Sequence, residues 1–366
     1  MLNKRREWPL AMRESASSLL PQKFTRATKT NKACNMKTVS KFVLTLTLVI
    51  SGATSHAQTA AGAAQTFLRL SHVGSTTSSQ HLAALKMASS VSELTKGSLR
   101  IDVYPNGELG NDAKSIADVK SGTLDMTMAG SGNFVSLAPR LVEIDQPYSF
   151  QTPQDVWKEL DSPYFGKALL NETMASGIKG LSFWEVGFRI ITSNKGFVKT
   201  PADFKDLRLR VGNSTQEAYF KELGAVTTSM PLGELYDAIK AGKLDAQDHP
   251  LPITYSAKLY EVQKYVTMTR HAYTALMVAI NLKRFESLSP AHQKALLDAA
   301  VIGRDFQRAL NSKNEAAMIA DLRSKGIEVL EKVESRPFRM LAIKQSAVHF
   351  SNRLSATAKP SQPATK

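Results

Sequence analysis

The sequence predicts a two-lobed α/β protein with a long helix spanning both lobes, and three observations carry that expectation. From Phe67 onward, strand and helix patterns alternate, which implies a largely parallel sheet with helices on its faces. One short block occurs twice, as Lys120-Ser121-Gly122-Thr123-Leu124-Asp125 and as Lys240-Ala241-Gly242-Lys243-Leu244-Asp245. Each copy follows an apolar-periodic helix, so the two halves are expected to be built alike with a cleft between them. The third observation is a helical pattern running from Pro290 to about Lys325, longer than the globular norm and able to bridge two lobes. A chain of 366 residues suits two lobes of ordinary size, and 43% hydrophobic content lets each bury a core.

The N-terminal residues stand apart from this pattern. Lys37 and Lys41 precede an apolar run, Phe42 to Ile50, and Ser55-His56-Ala57 follows with small residues where a signal peptidase reads. The run is shorter than the ~20 residues a membrane span takes. Residues 36–57 therefore read as a cleavable secretory signal. Residues 1–35 read as an N-terminal extension ahead of a true start at Met36. Residues 58–66 form a low-complexity spacer, and residues 351–366 a disordered tail. Cleavage would remove Cys34, the only cysteine, leaving a thiol-free chain suited to an oxidising compartment. It would also change the charge. The full chain carries 47 Lys/Arg and 32 Asp/Glu, a formal +15; without the ten basic and two acidic residues of 1–57, 37 face 30, giving +7. A mildly basic surface suits an anionic ligand. No basic stripe interleaved with aromatics points to nucleic acid.

Along the mature chain, Ala84, Met87, Ala88, Val91 and Leu94 recur at helical spacing, with Ser78 or Ser79 as N-cap and Gly97 as stop. Leu99 to Val103 alternates with period two and ends at the turn Pro105-Asn106-Gly107. In the repeated block, Gly122 and Gly242 fit left-handed helix stops, and Leu-Asp leads into a short strand. Ser289 and Pro290 fit the N-cap and first position of the long helix, Gly326 its stop, and Gly303 a bend within it.

Catalytic constellations are mostly missing. The sequence has no G-x-S-x-G elbow and no Walker loop, and Gly130-Ser131-Gly132 lacks the third glycine of a dinucleotide fingerprint. His72, His81, His249, His271, His292 and His349 are scattered without metal-ligand spacing. Neither a metal nor a cofactor is expected. Arginine on short strands stands out instead. In Leu207-Arg208-Leu209-Arg210-Val211 the apolar residues share one face and the two arginines the other. Arg210 ends the strand ahead of Gly212-Asn213-Ser214 and a helix start. Ligands of open α/β sheets bind beyond the carboxyl ends of strands, where a guanidinium can grip a carboxylate with two parallel hydrogen bonds. The helix N-terminus adds a field favourable to an anion. Arg189, in the aromatic segment Trp184 to Arg189, makes a similar case, with Glu185 as a plausible ion-pair partner.

Four segments carry a family resemblance. Val103-Tyr104-Pro105-Asn106-Gly107-Glu108-Leu109-Gly110, Gly122 to Met126, Gly187-Phe188-Arg189 with Thr192-Ser193-Asn194, and the block from Leu209-Arg210-Val211 through Met230-Pro231 to Pro250 occur in order across nearly the whole mature chain. They resemble the substrate-binding subunit of a TRAP (tripartite ATP-independent periplasmic) transporter, of the DctP-like type. The resemblance implies a two-lobed periplasmic binding protein fold with two mixed sheets flanked by helices. Lobe I would hold residues 67–186 and 275–314, lobe II 187–274 and 315–350. It implies hinge closure on a small organic anion, a carboxylate with a C4-dicarboxylate among the candidates, and delivery to the small and large membrane subunits of an ion-coupled permease. The protein would be a periplasmic monomer without catalytic activity. The family's ligand arginine falls on Arg210, its second arginine on Arg189 and an asparagine on Asn213. His249 stands where the family carries a ligand-facing asparagine, and it could titrate near neutral pH. By the resemblance, Gly130 and Asn133 fall where sialic-acid-binding members carry a glutamate and an arginine, which argues against that ligand. A binding protein feeding a sensor, or an enzyme of similar two-lobed shape, is the alternative.

Overall fold

The computed structural model describes residues 65–345. The expected extension with Cys34, the expected secretory signal, most of the spacer, His349 and the expected tail lie outside the described residues. Ten strands form two mixed sheets that share one long strand. In the first sheet, β1 (Thr66–Ser71) runs parallel to β2 (Leu99–Tyr104) and β3 (Met126–Gly130). The long strand is β4 (Ile178–Ser193), 16 residues. The other members are β5 (Arg208–Val211), β6 (Val226–Ser229), β7 (Ala246–Pro250), β8 (Tyr265–Thr267), β9 (Tyr273–Asn281) and β10 (Glu328–Leu330). β9 is antiparallel to both β3 and β4. The last residues of β4, Arg189 to Ser193, change partner and pair antiparallel with β7, which continues parallel to β5 and β6. The expected parallel order therefore holds among β1, β2 and β3 and among β5, β6 and β7, while the crossing strands run antiparallel to them. A chain that crosses to a second lobe along β4 and returns along β9 must run in opposite directions in the two crossings.

The helices are α1 (Ser79–Leu94), α2 (Asp112–Ser121), α3 (Val142–Asp145), α4 (Pro153–Asp161), α5 (Gly166–Glu172), α6 (Ser214–Glu222), α7 (Leu232–Lys240), α8 (Leu251–Ser256), α9 (Leu282–Glu286) and α10 (Pro290–Ser324). Their boundaries follow local chemistry. Ser78 caps α1 by accepting from His81 N, and Ser289 caps α10 by accepting from His292 N with Pro290 in the first turn. Gly122, Gly242 and Gly326 take positive φ just past their helices. Leu94, expected on the core face of α1, is half exposed.

α10 is 35 residues long and packs on α1, β4 and α8, so one helix ties both halves of the molecule together. Gly303 serves close packing there. A Cβ at that position would lie 2.7 Å from Trp184 Cη2, and Trp184 Nε1 donates to Ala300 O on the same helix face. Separate cores support the two halves. Trp184, Met87, Leu276 and Leu296 belong to one; Ile191, Val211, Phe204 and Phe220 belong to the other.

Candidate functional site

A cleft of about 500 Å³ opens where the carboxyl ends of β3 and β5 and the crossing strands converge. All five residues expected at the site line it: Arg210, Arg189, His249, Asn213 and Asn133. Arg210 follows from strand alternation. Leu209 and Val211 point into the core, while Arg208 lies exposed and pairs with Asp245. Arg210 is only 4% exposed. Its Nε and Nη2 donate to Met230 O at 3.0 and 2.6 Å, and its Nη1 donates to His249 Nε2 at 2.8 Å. Arg189, equally buried, donates from Nε to Asp248 Oδ2 at 2.7 Å, from Nη1 to Thr274 Oγ1 at 2.8 Å and from Nη2 to Asp248 O at 2.6 Å. A guanidinium has five N–H donors, so each arginine keeps donors without a protein acceptor among the described residues. Both converge on Gly212, where a Cβ would sit 3.2 Å from Arg210 Nη1 and 3.6 Å from Arg189 Nη2. The missing side chain keeps that space open.

The expected Glu185–Arg189 pair does not form. Glu185 instead accepts from Trp157 Nε1, Tyr273 Oη and Asn311 Nδ2, away from the cleft. A β-bulge between Glu185 and Gly187 inserts one residue, which breaks the alternation that would have put positions 185 and 189 on one face. Asp248 takes the role. Burial pushes its carboxyl up, but Arg189 and His271 outweigh burial and hold it below the usual carboxylate range. Burial pulls Arg210 down to about 10, with Arg189 adding and Asp248 and Asp112 opposing, so it stays charged at neutral pH.

His249 does not titrate near neutrality. Burial, reinforced by Arg210 and Arg189, pushes its pKa well below the usual value. Its tautomer is fixed by its neighbours. Nδ1 lies 2.6 Å from Gln247 Oε1, an acceptor only, so Nδ1 carries the proton and Nε2 accepts from Arg210. Gln247 Nε2 donates in turn to Thr192 Oγ1 at 2.7 Å, and Thr192 donates to Gln263. This directional chain anchors Arg210 from behind.

Asparagines cap two of the helices whose N-termini reach the cleft. Asn111 Oδ1 accepts from Lys114 N at the start of α2, and Asn213 Oδ1 from Gln216 N at the start of α6. These caps leave the amide nitrogens of both residues as donors, at the positive ends of two helix dipoles. Asn133 Nδ2 donates to Asp112 Oδ2 at 3.2 Å. The arrangement supplies fixed cationic and neutral donors in a recess, the chemistry that holds a small anion.

The sequence model of bacterial extracellular solute-binding proteins, family 7 (DctP), matches residues 70–351. The chain belongs to this family. As a DctP-family TRAP transporter subunit it captures a small organic acid in the periplasm, and it is a binding protein rather than an enzyme. It is similar to the 2,3-diketo-L-gulonate-binding periplasmic protein YiaO of Escherichia coli K12, 38% identical over 296 residues, covering 81% of this chain and 89% of that one. A TRAP periplasmic solute binding protein from Polaromonas sp JS666, bound to D-erythronate, is 26% identical with a TM-score of 0.75, covering 81% of this chain and 100% of that one. One from Sulfurospirillum deleyianum, with bound succinate, is 25% identical with a TM-score of 0.73, covering 79% and 95%.

Among the residues that escaped the sequence reading are Asp248, the buried partner of Arg189, and the cleft residues Asn111, Asp112 and Asp145. The first carried a signal, because it lies in the same block as His249. Asn111-Asp112 reads as a helix start behind the Gly107–Gly110 turn, but nothing local says that the start faces a ligand.

Proposed function

We propose that the ligand's carboxylate is held at the Gly212 gap by Arg210 and Arg189, with His249, Asn213 and Asn133 completing the wall. The observation that carries this reading is the convergence of two buried guanidiniums, each with uncommitted donors, on a residue without a side chain. The relatives' ligands divide between sugar acids and a C4-dicarboxylate, and a carboxylate is what they share. The lobes, 67–186 with 275–314 and 187–274 with 315–350, close about the crossing strands. The mature monomer starts near Gln58 after signal cleavage, and it hands its ligand to the small and large membrane subunits of a TRAP permease. A thermal-shift screen of organic acids tests the site. A ligand at 100 times its Kd adds about 2.7 kcal/mol of stability, a shift of several degrees. Stabilisation by neutral sugars and by no organic acid would refute it.

A further inference from the structure

The cleft lining carries three carboxylic acids; Glu234 is exposed, and the carboxylate grip uses neither of the other two. Asp145 ends α3, is 1% exposed, lines the cleft, and its Oδ2 has no hydrogen-bond partner among the described residues. Asp112 opens α2; its Oδ2 accepts from Asn133, while its Oδ1 is buried and likewise unpartnered. Gln80 Oε1, in the same cleft, is a third buried acceptor without a donor. Buried polar atoms are almost always paired, so three open acceptors in one recess point to donors brought in by the ligand.

The charges narrow what those donors are. Arg189 is already neutralised by Asp248, which leaves Arg210 as the cleft cation without a carboxylate partner among the described residues. One free cation and two further acids can accept one ligand carboxylate. A second carboxylate on the ligand would meet Asp112 or Asp145 with like charge. We propose that Asp112 and Asp145 set specificity: they accept hydrogen bonds from ligand hydroxyls and turn away a second carboxylate, so that the protein takes a polyhydroxylated monocarboxylate and rejects C4-dicarboxylates. This rests on the reading that Arg210 and Arg189 hold the ligand's carboxylate. Burial raises both acids, Asp112 to about 6 against the pull of Arg210 and Asp145 to about 7 against the pull of Arg189. Each therefore exists in both protonation states near neutral pH. A hydroxyl is donor and acceptor and pairs with either state, whereas a ligand carboxylate pairs only with the protonated one.

The test is isothermal titration at pH 7.5 of the purified protein, Asp145→Asn and Asp112→Asn, with the epimeric hexonates, succinate and the neutral alditol sorbitol. Circular dichroism checks each variant's fold. The tightest hexonate should bind the unaltered protein at least about 100-fold more tightly than succinate, the scale of a like-charge mismatch. Each folded variant should narrow that ratio about tenfold or more, with succinate gaining affinity. Succinate binding within tenfold of every hexonate overturns the inference and leaves the carboxylate grip standing. So does an unchanged ratio in a folded variant. Binding of sorbitol with no binding of any acid overturns the grip itself, and the inference with it. If neither variant folds, the ratio for the unaltered protein decides.

Discussion

Replacing Arg210 by lysine keeps the positive charge and removes the fork, so it separates geometry from charge. In the structure the guanidinium spends Nε and one donor of Nη2 on Met230 O and one donor of Nη1 on His249 Nε2. This leaves one donor on each terminal nitrogen, the pair an end-on carboxylate contact uses. A lysine ammonium has three donors on one atom and cannot hold Met230 O, His249 Nε2 and both carboxylate oxygens together. Truncating one partner of a buried, hydrogen-bonded charge pair costs roughly 2–5 kcal/mol. At about 1.4 kcal/mol per tenfold, that is a loss of some 30-fold to several thousand-fold in affinity. Arg210→Ala should fall in the same range, since it also strands the lone pair of His249. Isothermal titration with the best acid from the screen measures the loss, and circular dichroism confirms the fold. Binding by Arg210→Lys within about threefold of the unaltered protein, some 0.6 kcal/mol, refutes the bidentate role.

Anion binding should be proton-linked. Asp112 and Asp145, raised by burial to about 6 and about 7, face Arg210, Arg189 and Asp248, while burial holds His249 well below the ordinary histidine value and lowers His271 as well. A bound anion raises both acids further, so binding takes up protons and affinity falls as pH rises above about 7, by up to about tenfold per unit for each proton. Titrations in buffers of different ionisation heat count the protons; a Kd constant from about pH 6 to 8, a range spanning both groups, contradicts the linkage. Gly132→Val should weaken ligand binding about fivefold or more with secondary structure intact, because a Cβ there would stand 2.5 Å from Asn213 Nδ2 and inside contact with Asp145 Oδ2. Unchanged affinity would show that this approach is not needed for closure. Gly303→Ala should lower the melting temperature by several degrees, about 1–3 kcal/mol of overpacking against Trp184. A melting temperature within a degree of the parent would mean that the ring shifts freely.

What the sequence by itself determined is what depends on near neighbours in the chain. The caps at Ser78 and Ser289, the left-handed stops at Gly122, Gly242 and Gly326, and the placing of Arg210 at a strand end before a capped helix all follow from backbone chemistry within a few residues. Only the tertiary structure decided the rest. Glu185 and Arg189 are four apart in one strand and pair on paper, but the bulge at Gly187 shifts the alternation, and the register of β4 with β7 brings Asp248 to the arginine instead. Gly303 makes room for Trp184, which lies more than a hundred positions earlier in the chain, and no local pattern announces that contact. The protonation of His249 depends on burial and on two arginines supplied by other strands, and Asp112 and Asp145 become cleft acids only when α2 and α3 are brought to the same recess. Side-chain partnership and desolvation are properties of the assembled fold. No window of the chain contains both halves of such a contact.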